Sequence, residues 1–282
     1  MPQAPPVVLT IAGFDPSSGA GITADIKTIA AHGCYGVGCV TALTVQSTTG
    51  VKRVQAVEAE TVRETLDELV RDLDIAAVKI GMLGNAEVVA AVADFLERTK
   101  LPNVVLDPVL KSSSGADLVD YRGAKLLAER LIGLATVVTP NVDEASALSG
   151  LPVTEPEQMK RAAARLHEMG ALNVVVTGGH LERAIDVLSF KASRGFEQQL
   201  FKAERQRSSS THGTGCAFST AIACHLAAGR GVPEAVLLAK AYVTAAISKG
   251  QGIGRGIGPV HHLYRMHQPQ RRAAAADPES VN

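Results

Sequence analysis

The 282-residue chain has no tryptophan, and only 4% of its residues are aromatic. A platform that stacks nucleobases needs such rings, so single-stranded nucleic acid is a poor fit. The chain also lacks an excess of either charge, because 28 Lys and Arg offset 28 Asp and Glu. Without a basic footprint, nucleic acid is not expected as a partner. No apolar run reaches the roughly 18 residues that would argue for a spanning helix, so no membrane partner is expected. The opening Met1-Pro2-Gln3-Ala4-Pro5-Pro6 has no basic segment leading into a long apolar stretch, and no secretory signal is read there. Four cysteines, at 34, 39, 216 and 224, show neither a metal nor a thioredoxin-type spacing. Their use fits a reducing compartment and a cytoplasmic location. No repeat of about 20–50 residues occurs, which excludes a solenoid. No Pro/Ser-rich linker divides the middle, so residues 1–266 are read as one domain. The tail 267–282 lacks a core pattern and is expected to be disordered.

What is present is alternation. Short β-branched runs at 7–12, 37–45, 76–81, 104–106, 136–139 and 174–177 alternate with amphipathic helical patterns. Thr61 and Glu64 are placed to form a capping box, Asn85 to cap the next helix, and a further helix is expected near 121–131. Val51, Val54 and Val57 suggest a flap or edge segment. Residues 183–190 and 196–204 read as a hairpin turned at Ser193-Arg194-Gly195. The fold class is therefore α/β, with three αβα layers around a mostly parallel sheet. Ligands in such folds sit beyond the carboxyl ends of the strands. Polar and glycine clusters collect there: Gly13 to Asp15, Gln46, Gly81-Met82, Asp107, Asn141 to Glu144 and Gly178-Gly179.

The segment from Ser208 to Gly229 passes through Gly213-Thr214-Gly215-Cys216 into an Ala-rich helical pattern. Unpaired N–H groups and the helix dipole at that start form an anion site, and the same field favours a thiolate at Cys216. The plainer alternative is a glycine-rich loop capping an ordinary helix, with Cys216 a small buried apolar residue. Gly19-Ala20-Gly21-Ile22-Thr23-Ala24 matches a dinucleotide fingerprint. That fingerprint wants an acidic residue about 20 positions on, yet none lies between Asp25 and Glu58, which argues against a dehydrogenase.

Taken together, Thr10 to Gly13, Asp15-Pro16-Ser17, Gly19 to Ile22, Asp25 to Thr28, Thr41-Ala42-Leu43, Lys79 to Leu83, Val105 to Val109, Thr139-Pro140-Asn141, Gly178-Gly179-His180, Thr211 to Cys216 and Gly256 to His262 resemble the hydroxymethylpyrimidine/phosphomethylpyrimidine kinases of thiamine biosynthesis. Those enzymes are ribokinase-like. The resemblance implies ATP-dependent phosphorylation of 4-amino-5-hydroxymethyl-2-methylpyrimidine and of its monophosphate, with Mg²⁺ and a homodimer. It implies Cys216 as the base, with Gly213, Thr214 and Gly215 offering N–H groups to the transferring phosphoryl group. Gln46 suits an aminopyrimidine edge because an amide both donates and accepts. Asp25, Gly13, Ala20, Met82 and Val109 match further pocket positions of the family. Asn141 and Glu144 form an N-x-x-E pattern suited to Mg²⁺, with Asp107 joining through water. The plain reading of that pair is a helix cap. Lys240, Gly179 and the glycines near 250 are placed at the nucleotide. Thr177 stands where many relatives carry a lysine that reaches the phosphates, which puts the second phosphorylation in question. His180, His212, His261 and His262 are read as loop or core residues. The alternatives are a pyridoxine/pyridoxal kinase, which shares Gly-Thr-Gly-Cys, and a non-catalytic nucleotide-binding protein.

Overall fold

The computed structural model describes residues 4–112, 115–179, 184–193, 195–203 and 208–266. The expected tail 267–282, His180, and the turn residue Arg194 lie outside the described residues.

Among the described residues nine strands form one sheet: β1 (Val7–Phe14), β2 (Tyr35–Ser47), β3 (Gly50–Ala56), β4 (Ile75–Ile80), β5 (Val104–Leu106), β6 (Val137–Val138), β7 (Asn173–Val176), β8 (Ala184–Ala192) and β9 (Gly195–Ala203). Their order is β3-β2-β1-β4-β5-β6-β7-β8-β9. The six strands from β2 to β7 run parallel, while β3 at one edge and β8–β9 at the other are antiparallel. The weak valine segment at 51–57 is thus edge strand β3.

The central strands are apolar on both faces because helices cover both. Val8, Ala77, Val105, Val137 and Val175 face a core with α1 (Gly21–Ala31), α7 (Thr214–Ala227) and α8 (Val232–Ser248). Their neighbours Leu9, Val78, Val104, Val138 and Val174 face the opposite core, with α2 (Ala59–Asp72), α3 (Ala86–Thr99), α5 (Val142–Ser149) and α6 (Pro156–Glu168). The remaining helix, α4 (Tyr121–Leu126), continues through a π turn (Leu127–Leu131) and a 3-10 turn (Ile132–Leu134).

Asn85 caps α3 as expected, accepting from the Val88 N–H at 2.9 Å. The expected Thr61–Glu64 box does not form. Helix α2 starts at Ala59, and Glu58 at its N-cap makes no side-chain bond. Ala59 and Glu60 are good helix formers, so Thr61 falls inside the helix, where its carbonyl accepts from the Thr65 hydroxyl.

The chain leaves β1 for β2 on one side and takes β4 onward on the other, so the topological switch lies between β1 and β4. Loops 13–21 and 81–84 flank that crevice, the expected place for a ligand. From Gln46 at the end of β2 to Thr177 after β7, the row of strand ends spans five strand spacings, roughly 24 Å. That is room for two ligands side by side. Among the described residues no helix is long and apolar enough to cross a membrane.

Candidate active site

Two helix starts meet at the switch point. Gly21, at φ +59°, opens α1, and Gly213, at φ +80°, caps α7. A Cβ on Gly213 would lie 1.8 Å from the Gly19 carbonyl oxygen, and one on Gly21 would lie 2.3 Å from that of Gly13. Only residues without side chains permit this approach. The Thr214 hydroxyl donates to the Thr211 carbonyl at 2.6 Å and steadies the turn. Gly215 is exposed in the first helical turn, where N–H groups have no partner inside the helix.

Cys216 follows, half-buried, with the Gly21 N–H donating to its sulfur. Burial pushes this thiol up to about 12; Asp25 and Asp107 add to the rise, and Lys79 and the Gly21 N–H oppose it. The ligand-free site therefore holds a thiol, where the helix field alone had suggested a thiolate. Desolvation and two nearby carboxylates outweigh the dipole.

Asp25 lies in the first turns of α1 and is fully buried. Thr10 donates to it at 2.6 Å, Thr220 at 2.7 Å and the Lys79 ammonium at 3.0 Å. These three donors engage both of its oxygens. Lys79, equally buried, stands in the middle of β4. Burial alone would lower its pKa, but Asp25, Cys216 and Asp107 raise it well above the usual lysine value. A Cβ on Gly81 would come within 2.7 Å of its nitrogen, so that glycine makes room for the ammonium. Lys79 had been given no role. The signal was a charged residue inside an apolar strand, which folding tolerates only when it is paired.

On the other side of the crevice, Gln46 lies at the end of β2. Its Nε2 is 3.4 Å from His212 Nε2, and its Oε1 is 3.1 Å from Thr44 Oγ1. His212 Nε2 is 2.8 Å from Asp15 Oδ2, so this histidine is more than a loop residue. Ala20 is the N-cap of α1, and its N–H also donates to Asp15. Ala42, Met82 and Leu118 form a small apolar cluster with Val51, Val54 and Val109 against it. The absence of a side chain at Gly13 makes room for the Met82 sulfur, which a Cβ there would approach to 2.8 Å. Gly13, Ala20, Gln46, Met82 and Val109 therefore gather around the β1–β4 crevice. Asp25 lies beneath it.

Across the sheet, Asn141 caps α5. Its side chain accepts from the Asp143 and Glu144 N–H groups at 2.9 Å each, and Glu144 accepts from the Asn141 N–H at 2.9 Å. The plain cap reading of this pair holds. Burial raises the Glu144 carboxyl to about 8, and Asp107 adds to the rise. The Asp107 pKa is raised too, by burial, although Lys79 and the Ser219 hydroxyl at 3.1 Å oppose it. Among the described residues no group of three or more His, Cys, Asp and Glu is arranged to hold a metal.

Thr177 follows β7 and bridges to Asn141. Gly179 beyond it is exposed. Lys240 on α8 reaches Asp186 at 2.5 Å, and the other oxygen of Asp186 accepts from the Gly178 N–H at 3.0 Å. Lys240 thus braces the Gly178-Gly179 turn through a carboxylate. Of the glycines near 250, Gly250 and Gly258 lie against Ser210, and Gly254 and Gly256 lie against Thr48 at the β2–β3 turn.

The αβα sheet with a glycine-opened helix start at its switch point is ribokinase-like, an architecture this chain shares with solved kinases. A family model described as phosphomethylpyrimidine kinase matches residues 15–261. The chain belongs to the hydroxymethylpyrimidine/phosphomethylpyrimidine kinase family. It is 41% identical to the hydroxymethylpyrimidine/phosphomethylpyrimidine kinase of Haemophilus influenzae, over 90% of this chain and 96% of that one. It is 45% identical to the thiamine biosynthesis bifunctional protein ThiED of Geobacter sulfurreducens, over 91% of this chain but only 52% of that protein. The chain thus spans about half of that bifunctional relative's length. Its fold superposes on a Bacillus subtilis pyridoxal kinase solved with ADP at a TM-score of 0.84 and 34% identity, covering 94% of this chain and all of that one.

Proposed function

We propose that this chain transfers the terminal phosphoryl group of ATP to the hydroxymethyl group of 4-amino-5-hydroxymethyl-2-methylpyrimidine. A second transfer, onto the monophosphate, gives the diphosphate for thiamine biosynthesis. The observation that carries this reading is the start of α7, where Gly213, Thr214 and Gly215 lead into Cys216 beside the β1–β4 crevice. N–H groups at that position suit the charge of a transferring phosphoryl group.

Gly13, Ala20, Met82 and Val109 would enclose a flat ring whose polar edge meets Gln46. Cys216 would accept the alcohol proton. A thiol held near 12 must fall once the site is filled, and Lys79 and the Gly21 N–H already act in that direction. Thr177 and Gly179 would face the nucleotide, with Lys240 holding their turn in place. Asp107 and Glu144 fit a Mg²⁺ site. They are buried oxygen donors whose pKa values are both raised by burial, with Asp107 adding to the rise at Glu144, and Mg²⁺ takes one or two carboxylates beside phosphate oxygens and water. Bound there, the ion would neutralise phosphate charge. The Asn141 side chain is already committed to its cap. The reading includes a homodimer, supported by exposed Leu43 and Val45 on one face of β2 and testable by light scattering.

A second reading, phosphorylation of pyridoxal, is supported by the similarity to the Bacillus pyridoxal kinase. The experiment is ATP- and Mg²⁺-dependent phosphorylation of the aminopyrimidine and of pyridoxal, resolving mono- from diphosphate. Pyrimidine diphosphate is expected, and would show that Thr177 is compatible with both steps. Pyridoxal phosphate as the main product would replace this reading with the second. Cys216→Ala should lower turnover by a factor on the order of 10²–10⁴ while calorimetry still detects pyrimidine binding. Unchanged turnover would remove Cys216 from the chemistry.

A further inference from the structure

One polar chain in the site reaches Gln46 through two residues, Asp15 and His212, that have no part in the chemistry above. It joins three segments far apart in sequence, through Asp15, His212 and Gln46. Asp15 is 3% exposed and all its bonding directions are engaged. Oδ1 accepts from the Ser17 N–H at 2.8 Å and its hydroxyl at 2.7 Å, and Oδ2 accepts from the Ala20 N–H at 2.9 Å and from His212 at 2.8 Å. Burial tends to raise this carboxyl, but His212 and the other donors bring it below its ordinary value. An ionised carboxylate only accepts, so the proton between the two side chains sits on His212 Nε2. The imidazole has little freedom to turn away, since a Cβ on Gly19 would lie 2.2 Å from its Cδ2.

That proton dictates what Gln46 can do. With its nitrogen 3.4 Å from His212 Nε2, two N–H donors would face one another. A half-turn of the amide, which exchanges two atoms of nearly equal size, removes that clash. The Gln46 oxygen then faces the single His212 Nε2–H as its longer second acceptor at 3.4 Å, while Asp15 holds the shorter bond at 2.8 Å. The Gln46 NH₂ meets Thr44 Oγ1, whose single proton goes to the Phe14 carbonyl at 3.0 Å. One lone pair and one N–H of the amide remain for a ligand, in a fixed order.

We propose that Asp15 and His212 are positioning residues that fix the direction of the Gln46 amide and thereby set which heterocycle the site accepts. The inference rests on the reading of the site given above. An aminopyrimidine offers an exocyclic N–H next to a ring nitrogen, which pairs with the amide in that fixed order. A ring without the amino group leaves the amide oxygen's remaining lone pair without a donor in a partly buried site, and such a mismatch discriminates strongly. An amide free to rotate adapts to either ring.

The test is a double-mutant cycle on selectivity. Dissociation constants for 4-amino-5-hydroxymethyl-2-methylpyrimidine and for pyridoxal are measured by calorimetry, alongside kcat/KM, on the wild type, His212→Leu, Gln46→Leu and the double variant. His212→Leu is expected to lower the preference for the pyrimidine about tenfold or more, and Gln46→Leu to change that preference little further in the His212→Leu background. His212→Gln, which keeps an N–H donor, should recover part of it. Both constants weakening together with the ratio unchanged would make His212 merely structural and overturn the inference. Independent, multiplying effects of the two substitutions would overturn it as well. A wild type that phosphorylates the pyrimidine while showing either of those results defeats this inference alone. A wild type that binds neither ring defeats the functional reading, and the inference with it.

Discussion

The two halves of the site are built in opposite ways. On the crevice side, Asp25 is held by Thr10, Lys79 and Thr220, which are 15, 54 and 195 positions away, and Asp15 meets His212 across 197 positions. On the α5 side, Asn141 and Glu144 satisfy one another three residues apart. The first arrangement exists only when α1, β4 and α7 are packed together. The second needs one helical turn. The crevice side should therefore be the half whose polar groups are costly to disturb, and the α5 side the half where a change stays local.

Breaking the buried pair gives the largest effect. Lys79→Met leaves Asp25 charged and unpaired in a fully buried position, and should cost about 3–5 kcal/mol in a denaturant melt. The double variant Asp25→Asn/Lys79→Met should recover most of that loss, because both charges leave together. A single variant as stable as the wild type would refute the view of this half as a tertiary lock. Lys240→Met comes next, at about 2–3 kcal/mol, since Asp186 keeps its Gly178 bond and lies nearer the surface. It joins α8 to β8 across 54 positions, and so tests whether distance in sequence or depth of burial sets the cost.

Glu144 sharpens the contrast through pH. Its folded value near 8 lies above the ordinary 4.5, so between these values the folded state holds a proton that the unfolded state has lost. Stability from this group is full below about pH 4.5 and falls as pH rises through 8, with a slope of at most about 1.4 kcal/mol per unit. Glu144→Gln should flatten that part of a stability–pH profile measured without divalent cation. Asn141→Ala, which removes only a cap, should cost about 1 kcal/mol. A loss as large as that of Lys79→Met would erase the distinction between the halves.

The same distinction explains what could be read from sequence. Asn85 was legible as a cap, and so was the cap alternative at Asn141 and Glu144, because donor and acceptor lie within one turn. Alternating β-branched runs and amphipathic helices gave the layers, since both core faces demand apolar residues at fixed spacing. The glycine-opened start of α7 was visible for the same local reason. The partners of Asp25, the environment of Cys216 and the Asp15–His212 bond were not legible. Each depends on which strand ends become neighbours, and pairwise spacing along the chain does not carry that. The helix field at Cys216 could be anticipated, whereas the opposing carboxylates of Asp25 and Asp107 required the folded sheet. Thr61 failed as a cap because residues before it already favour helix.

The contact between Gly19 and Gly213 has a consequence for engineering. Where two backbones touch with no space for a methyl group, the loops carrying them behave as a lock and key made of main chain. Recombination within the family must treat segments 13–21 and 208–216 as a single cassette. A chimera that draws the two from different parents will assemble this site only if both parents leave these two positions bare.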